Sequence, residues 1–157
     1  MLDLDEILDL VRALNAENVE YITFGALAMW VHGIPRMTED ADFFVAPTTE
    51  NIDRLKRALR RVWNDPAIEE INTEELLGDY PSVRYAPPDT DLYMDFLTRL
   101  GEVYPYDALK WQIEELEGVP VRVVTPQQLY EMKRHTVRPK DWGDAEALRR
   151  RFSLTEE

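Results

Sequence analysis

Apolar residues at Leu4, Ile7, Leu8, Val11 and Leu14 recur at the spacing of one helical face, which predicts an amphipathic first helix. Asp3 ahead of it, with Glu6 three residues on, has the form of a capping box. "VEYITFG" then reads as a short buried strand that stops at Gly25, and "ALAMWVH" as a compact helix closed by Gly33 in a left-handed position. Pro35 keeps that helix from resuming. "ADFFVAP" is a second strand ended by Pro47. "TTENIDRLKRALRRVW" is an amphipathic helix with Ile52, Leu55, Leu59 and Val62 inward and a basic outer face.

Further on, "PSVRYAPPDTDLYMDFLT" predicts two strands around a Pro-Pro-Asp turn. "LKWQIEELEGVPVRVVT" suggests a hairpin with Gly118 near its tip, against a competing helix over residues 108 to 117. Two helices finish the chain, "PQQLYEMKRHT" with Thr125 as N-cap and Pro126 at its first position, and "PKDWGDAEALRRRF". Strands and helices mix without strict alternation. The expected class is therefore α/β in the α+β sense: one domain over 1–157, with helices packed on a mixed sheet.

Composition narrows the function classes. At 157 residues, 45% hydrophobic and 31% charged, the chain suits a single globular core. No apolar run approaches the roughly 18 to 20 residues of a membrane span, and the acidic, amphipathic N-terminus is neither signal nor transit peptide. Cysteine is absent, which excludes disulfides and thiolate metal sites and makes the cytoplasm the expected location. A net charge of −13 repels nucleic-acid backbones, so strong unaided DNA or RNA binding is not expected. A nucleotide met by metal ions and a few local cations remains open.

Candidate chemistry sits in "GIPRMTEDADFFV". In a strand, residues two apart share a face about 6.5 Å apart along the chain, so Asp40 and Asp42 both project to one side, with Phe44 continuing it. Ala41, Phe43 and Val45 take the other face. Two neighbouring carboxylates repel unless a cation lies between them, and hard divalent metals are bound by such groups together with substrate phosphates. The plain alternative is that Asp40 caps a turn and Asp42 is merely exposed. "DLYMDFL" places Leu92, Met94 and Phe96 on one face and Asp91, Tyr93 and Asp95 on the other. Beside the "ADFFV" strand, Asp95 would be a third carboxylate of a site of the two-metal phosphoryl-transfer kind, with Asp91 a turn residue. Gly25, at a strand-to-helix junction, leaves room for a phosphate near backbone N–H groups.

With those residues in view, the chain resembles a nucleotidyltransferase of the DNA polymerase β superfamily, and most closely the small bacterial AbiEii-type enzymes of abortive-infection and toxin–antitoxin systems. The pattern is a strand, G-[GS] opening a helix, a strand bearing [DE]-x-[DE], and a later strand acid. "YITFGALAMWVHGIPRMTEDADFFV" and "DLYMDFL" match it, and "LYEMKRHTVRPKDWGDAEAL" resembles the family's Lys-bearing helix and R-P-[KR]-D-x-x-D segment. The resemblance implies Gly25 near the triphosphate and Asp40, Asp42 and Asp95 as Mg²⁺ (or Mn²⁺) ligands, Asp95 alternatively accepting the acceptor's proton. It implies Lys133 against phosphate charge, with Asp141 and Asp144 bracing the site. Ala26 stands where the family has Gly or Ser, keeping a backbone N–H but losing a hydroxyl.

The expected activity is Mg²⁺-dependent transfer of a nucleoside monophosphate from an NTP to an acceptor hydroxyl on a protein, a tRNA or a small molecule, with an antitoxin or other protein as partner. Rival readings are a non-catalytic nucleotide or partner binder on the same scaffold, and an interaction domain without ligand. Arg36, in the turn before the acidic motif, is expected either to offset the carboxylates or to touch nucleotide, and Thr38 to satisfy that turn's backbone. Arg134 and Arg149 to Arg151 read as charged helix surface, and His32 and His135 lack metal-ligand partners at useful spacing.

Overall fold

The computed structural model describes residues 3–38 and 40–155; Glu39, inside the acidic motif, and the outermost residues of the expected 1–157 domain lie outside the described residues. Helix α1 (Leu4–Ala16) starts where the apolar spacing placed it, and the Asp3 carboxylate accepts from the N–H groups of Asp5 and Glu6. Glu6 accepts from the Thr90 hydroxyl, tying the first helix to a distant loop. Strand β1 (Tyr21–Phe24) runs directly into α2 (Gly25–Val31), which ends at His32 with Gly33 at φ +85°. Strand β2 (Asp40–Val45) and helix α3 (Thr49–Val62) follow, the helix capped by the Thr48 hydroxyl.

Between residues 63 and 81 lie two short elements that the hydrophobic pattern did not predict, a 3-10 turn (Pro66–Glu70) and helix α4 (Thr73–Leu77). Each presents one fully buried side chain, Ile68 or Leu76, too little for a periodic signal. The predicted strand pair is β3 (Ser82–Tyr85) with β4 (Tyr93–Leu97). A two-stranded ribbon, β5 (Arg99–Leu100) and β6 (Tyr104–Pro105), is a further unpredicted feature. The hairpin, not the competing helix, occupies the next stretch as β7 (Trp111–Leu116) and β8 (Val119–Val124). Glu117 at φ +50° and Gly118 at φ +81° make its two-residue turn. Helices α5 (Pro126–Arg134), capped by Thr125, and α6 (Pro139–Phe152) close the described chain.

Six strands form one mixed sheet in the order β3-β4-β2-β1-β8-β7. β2 runs antiparallel to β1 but parallel to β4, and β8 runs parallel to β1. Phe43, Val45, Met94 and Phe96 pack with α1 and α3 on one face, while Phe44 and Ile22 pack with residues of α2, α5 and α6 on the other. The Phe43 ring lies 5.6 Å from Phe96 and 6.0 Å from Tyr21, a row across three neighbouring strands. Full burial of each ring contributes about 1.5–3 kcal/mol, and the row fixes the register that aims the alternate residues Asp40 and Asp42 the opposite way.

Candidate functional site

Parallel pairing of β2 with β4 sets Asp42 opposite Asp95 and Asp40 opposite Tyr93. One carboxylate oxygen from each of Asp40, Asp42 and Asp95 lies within 4.8 Å of the others, all three residues half-buried. The third acid is therefore Asp95, as the alternation along β4 indicated.

Gly25 is required by this cluster. Its φ is +67°, and a Cβ there would stand 2.4 Å from Asp42 Oδ2. The space left by the missing side chain is taken by the carboxylate, a reason for glycine that the sequence pattern did not reveal. Gly25→Ala is expected to push Asp42 aside and to cost about 1–3 kcal/mol for an L-residue forced into that conformation. A urea midpoint unchanged from wild type would contradict this packing.

Burial, then the charges of Asp40 and Asp95, push Asp42 up to about 7, with Lys133 pulling the other way. A carboxyl so poised is costly to ionise alone and gains most from an added cation. The donor set is all oxygen, and its oxygens converge on one place. Both facts fit a hard divalent ion such as Mg²⁺ or Mn²⁺ better than a softer metal. The Thr38 hydroxyl contacts the Asp40 carboxylate and accepts from the Asp40 N–H at 3.2 Å, bracing the turn as expected.

Asp40 and Asp42 open onto a cleft of about 250 Å³. The cleft is also lined by Gly25 and Ala26, by Lys133, Thr136, Arg138 and Lys140 with the acids Asp141 and Asp144, by the apolar Phe24, Leu129 and Met132, and by Leu100 of the β5–β6 ribbon. The chain thus brings seven of the expected residues (Gly25, Ala26, Asp40, Asp42, Lys133, Asp141 and Asp144) to one cavity, with Asp95 next to Asp42 on the neighbouring strand.

Lys133 is buried, and its ammonium donates to Asp144 at 3.0 Å and Asp141 at 3.4 Å. Thr136 donates to the other Asp141 oxygen at 2.9 Å. Arg36 reaches across 108 residues to Asp144, with Nε 2.5 Å from Oδ1. So Arg36 offsets a carboxylate, but that carboxylate is Asp144 and not the acidic pair beside it in sequence. Burial pushes the Asp144 carboxyl upward, yet its hydrogen bonds from Arg36 and Lys133 prevail and hold it below the usual range. His32 Nε2 lies 2.8 Å from the Val124 carbonyl. Arg151 donates to the His32 carbonyl at 3.0 Å, so part of the basic run expected as plain surface joins α6 to α2.

One residue of the cluster escaped the sequence reading. Arg84 on β3 meets both oxygens of Asp95, at 2.9 and 3.2 Å. Its signal was the alternation of "SVRY", which places Arg84 opposite Asp95 once the β3–β4 register is known.

Residues 25–156 match the family model described as nucleotidyl transferase AbiEii toxin, type IV TA system. No curated protein matches the chain in sequence. Among solved structures, ANT(2")-Ia in complex with adenylyl-2"-tobramycin is 15% identical, with 93% of this chain and 87% of that chain covered at a TM-score of 0.56. An antigenic nucleotidyltransferase-like protein from Paracoccidioides brasiliensis is 16% identical, covering 90% and 73% at a TM-score of 0.55. JHP933 from Helicobacter pylori is 19% identical, covering 94% and 65% at a TM-score of 0.56. At these identities the likeness is one of fold.

Proposed function

The chain belongs to the AbiEii nucleotidyl transferase toxin family, and from that premise we propose that it transfers a nucleoside monophosphate from an NTP to an acceptor hydroxyl, releasing pyrophosphate, with Mg²⁺ or Mn²⁺ as cofactor. The observation that carries the reading is the convergence of Asp40, Asp42 and Asp95, the first two lining a cleft that also holds Lys133, Arg138 and Lys140.

Asp40 and Asp42 hold the divalent ion, and Asp95 either joins them or takes the proton of the attacking hydroxyl. The chemistry such an ion supplies when bound is neutralisation of charge on the transferring phosphoryl group. Gly25 and Ala26 offer the backbone at the start of α2 to the triphosphate, Ala26 through its N–H alone. Lys133 balances phosphate charge, supported by Arg138 and Lys140. Arg36 serves the nucleotide indirectly, by fixing Asp144 against Lys133. Phe24, Leu129 and Met132 give the base an apolar surface. The acceptor is a protein, tRNA or small-molecule hydroxyl.

A partner antitoxin and a cytoplasmic site of action belong to this reading, as does a single nucleotidyltransferase-like domain over 1–157. Among the described residues no helix is long and apolar enough to cross a membrane.

Ala26, standing where the family has Gly or Ser, favours a second reading, a nucleotide sensor that binds without turnover. The experiment is release of pyrophosphate from each NTP, with Mg²⁺ or Mn²⁺ and a nucleotide-depleted cell extract as source of acceptors. Metal-dependent release from at least one NTP is expected. Metal-dependent NTP binding without any release would replace the enzyme with the sensor.

A further inference from the structure

The charge that Arg84 adds to the acidic cluster changes how many metal ions the cluster can take. Arg84 and Asp95 are direct cross-strand partners on β3 and β4. Arg84 Nε donates to Asp95 Oδ1 and Nη2 to Oδ2, a two-point fork that engages both oxygens of the third carboxylate. The guanidinium also lies 4.4 Å over the Tyr93 ring, two residues before Asp95 on the same face of β4. Fork and ring hold Arg84 at one place, yet its side chain is 61% exposed, so it can leave without opening the core.

Distance does not keep Asp95 out of metal coordination, since an oxygen of it lies within 4.8 Å of one from Asp40 and one from Asp42. What competes is the guanidinium. Asp40, Asp42 and Asp95 sum to three negative charges, and Arg84 reduces them to two, the charge that one divalent ion balances. A second divalent ion at Asp95 would sit against a fixed cation and share oxygens already used by two N–H donors.

We infer that Arg84 is a positioning residue that claims Asp95, so that the nucleotide-free site offers one divalent position, on Asp40 and Asp42. The inference rests on the metal reading proposed above. It separates the two roles left open for Asp95: the carboxylate is held toward β3, and joins a metal only when Arg84 disengages.

Mn²⁺ alone, titrated into the nucleotide-free full chain and followed by electron paramagnetic resonance of the free ion, tests this. Wild type is expected to bind one Mn²⁺, and Asp95→Asn to change that affinity less than about threefold. Arg84→Gln should bind Mn²⁺ about tenfold more tightly or take a second ion, in the range by which residues hydrogen-bonded to metal ligands alter affinity. The gain should vanish in Arg84→Gln/Asp95→Asn and be smaller in Arg84→Lys, which keeps the charge but not the fork. Circular dichroism confirms that each variant is folded. Unchanged binding in Arg84→Gln, or an Asp95→Asn loss as large as that of Asp42→Asn, overturns the inference and leaves the metal site standing. No Mn²⁺ binding by wild type overturns the metal reading and this inference with it.

Discussion

Asp42→Asn is expected to lower nucleotidyl transfer by roughly 10³-fold or more while making the metal-free protein more stable at pH 8. Removing a ligand on which charge stabilisation of the phosphoryl group depends forfeits several kcal/mol, and each 1.36 kcal/mol is tenfold in rate. The stability effect has the opposite sign because the native carboxyl is raised from 3.8 to about 7 by burial and by Asp40 and Asp95. The unfolded chain gives up that proton near pH 4 and the folded chain near pH 7, so in between the unfolded state binds fewer protons. The Asp42 contribution to metal-free stability therefore falls as pH rises from about 4 to about 7 and levels off above, while His32, lowered by burial, acts in the opposite direction. About three pKa units at 1.36 kcal/mol each set the whole span near 4 kcal/mol, on the order of 10 °C in melting temperature for a chain of this size. Asn does not ionise and should flatten that slope. Melting curves at pH 5 and pH 8 in chelator check it, and a wild-type slope retained in the variant would place the titrating group elsewhere.

The second large effect is expected at Lys133. Lys133→Met keeps the length of the side chain but removes the cation between Asp141 and Asp144, which are 6% and 3% exposed. Arg36 still reaches Asp144 and Arg138 still reaches Asp141 at 3.4 Å, so neither acid loses every partner. Breaking a buried pair costs about 3–5 kcal/mol because the remaining charge is left undersolvated. We expect a loss at the lower end of that range, read from the urea midpoint at pH 7. Arg36→Met should cost less, since its guanidinium is partly in solvent and Lys133 still covers Asp144. A Lys133→Met loss below about 1 kcal/mol would mean that solvent reaches these acids freely.

These expectations draw on features that were legible in the chain to different degrees. The order of elements from α1 to α3 followed from apolar spacing punctuated by Gly25, Gly33, Pro35 and Pro47, because local patterns alone determine such boundaries. Asp40 and Asp42 were legible for the same reason, since a strand's two-residue period puts them on one side wherever the strand lies. Asp95 was less so. Its place beside Asp42 depends on β2 pairing parallel with β4, a long-range choice that only the adjacency of the two strands would reveal. Arg84 needed one pairing more, and the Arg36–Asp144 bond, spanning 108 residues, has no local signature at all. The segment at 63–81 stayed hidden because its short elements bury isolated side chains such as Ile68 and Leu76, and the ribbon at 99–105 because it buries none. Gly25 was noticed for the right position and an incomplete reason: the nearest atom to its absent Cβ belongs to Asp42.

Asp40 and Asp42 are proposed to hold a divalent ion against a nucleotide. Thermal unfolding of wild type and Asp42→Asn, with each NTP and with or without Mg²⁺ or Mn²⁺, tests it most directly. A ligand at about 100 times its Kd stabilises the fold by about 2.7 kcal/mol, a shift of several degrees for a chain of this size. A metal-dependent shift with at least one NTP is expected in wild type, and its loss in Asp42→Asn. No shift with any nucleotide, or the same shift in the variant, would contradict it.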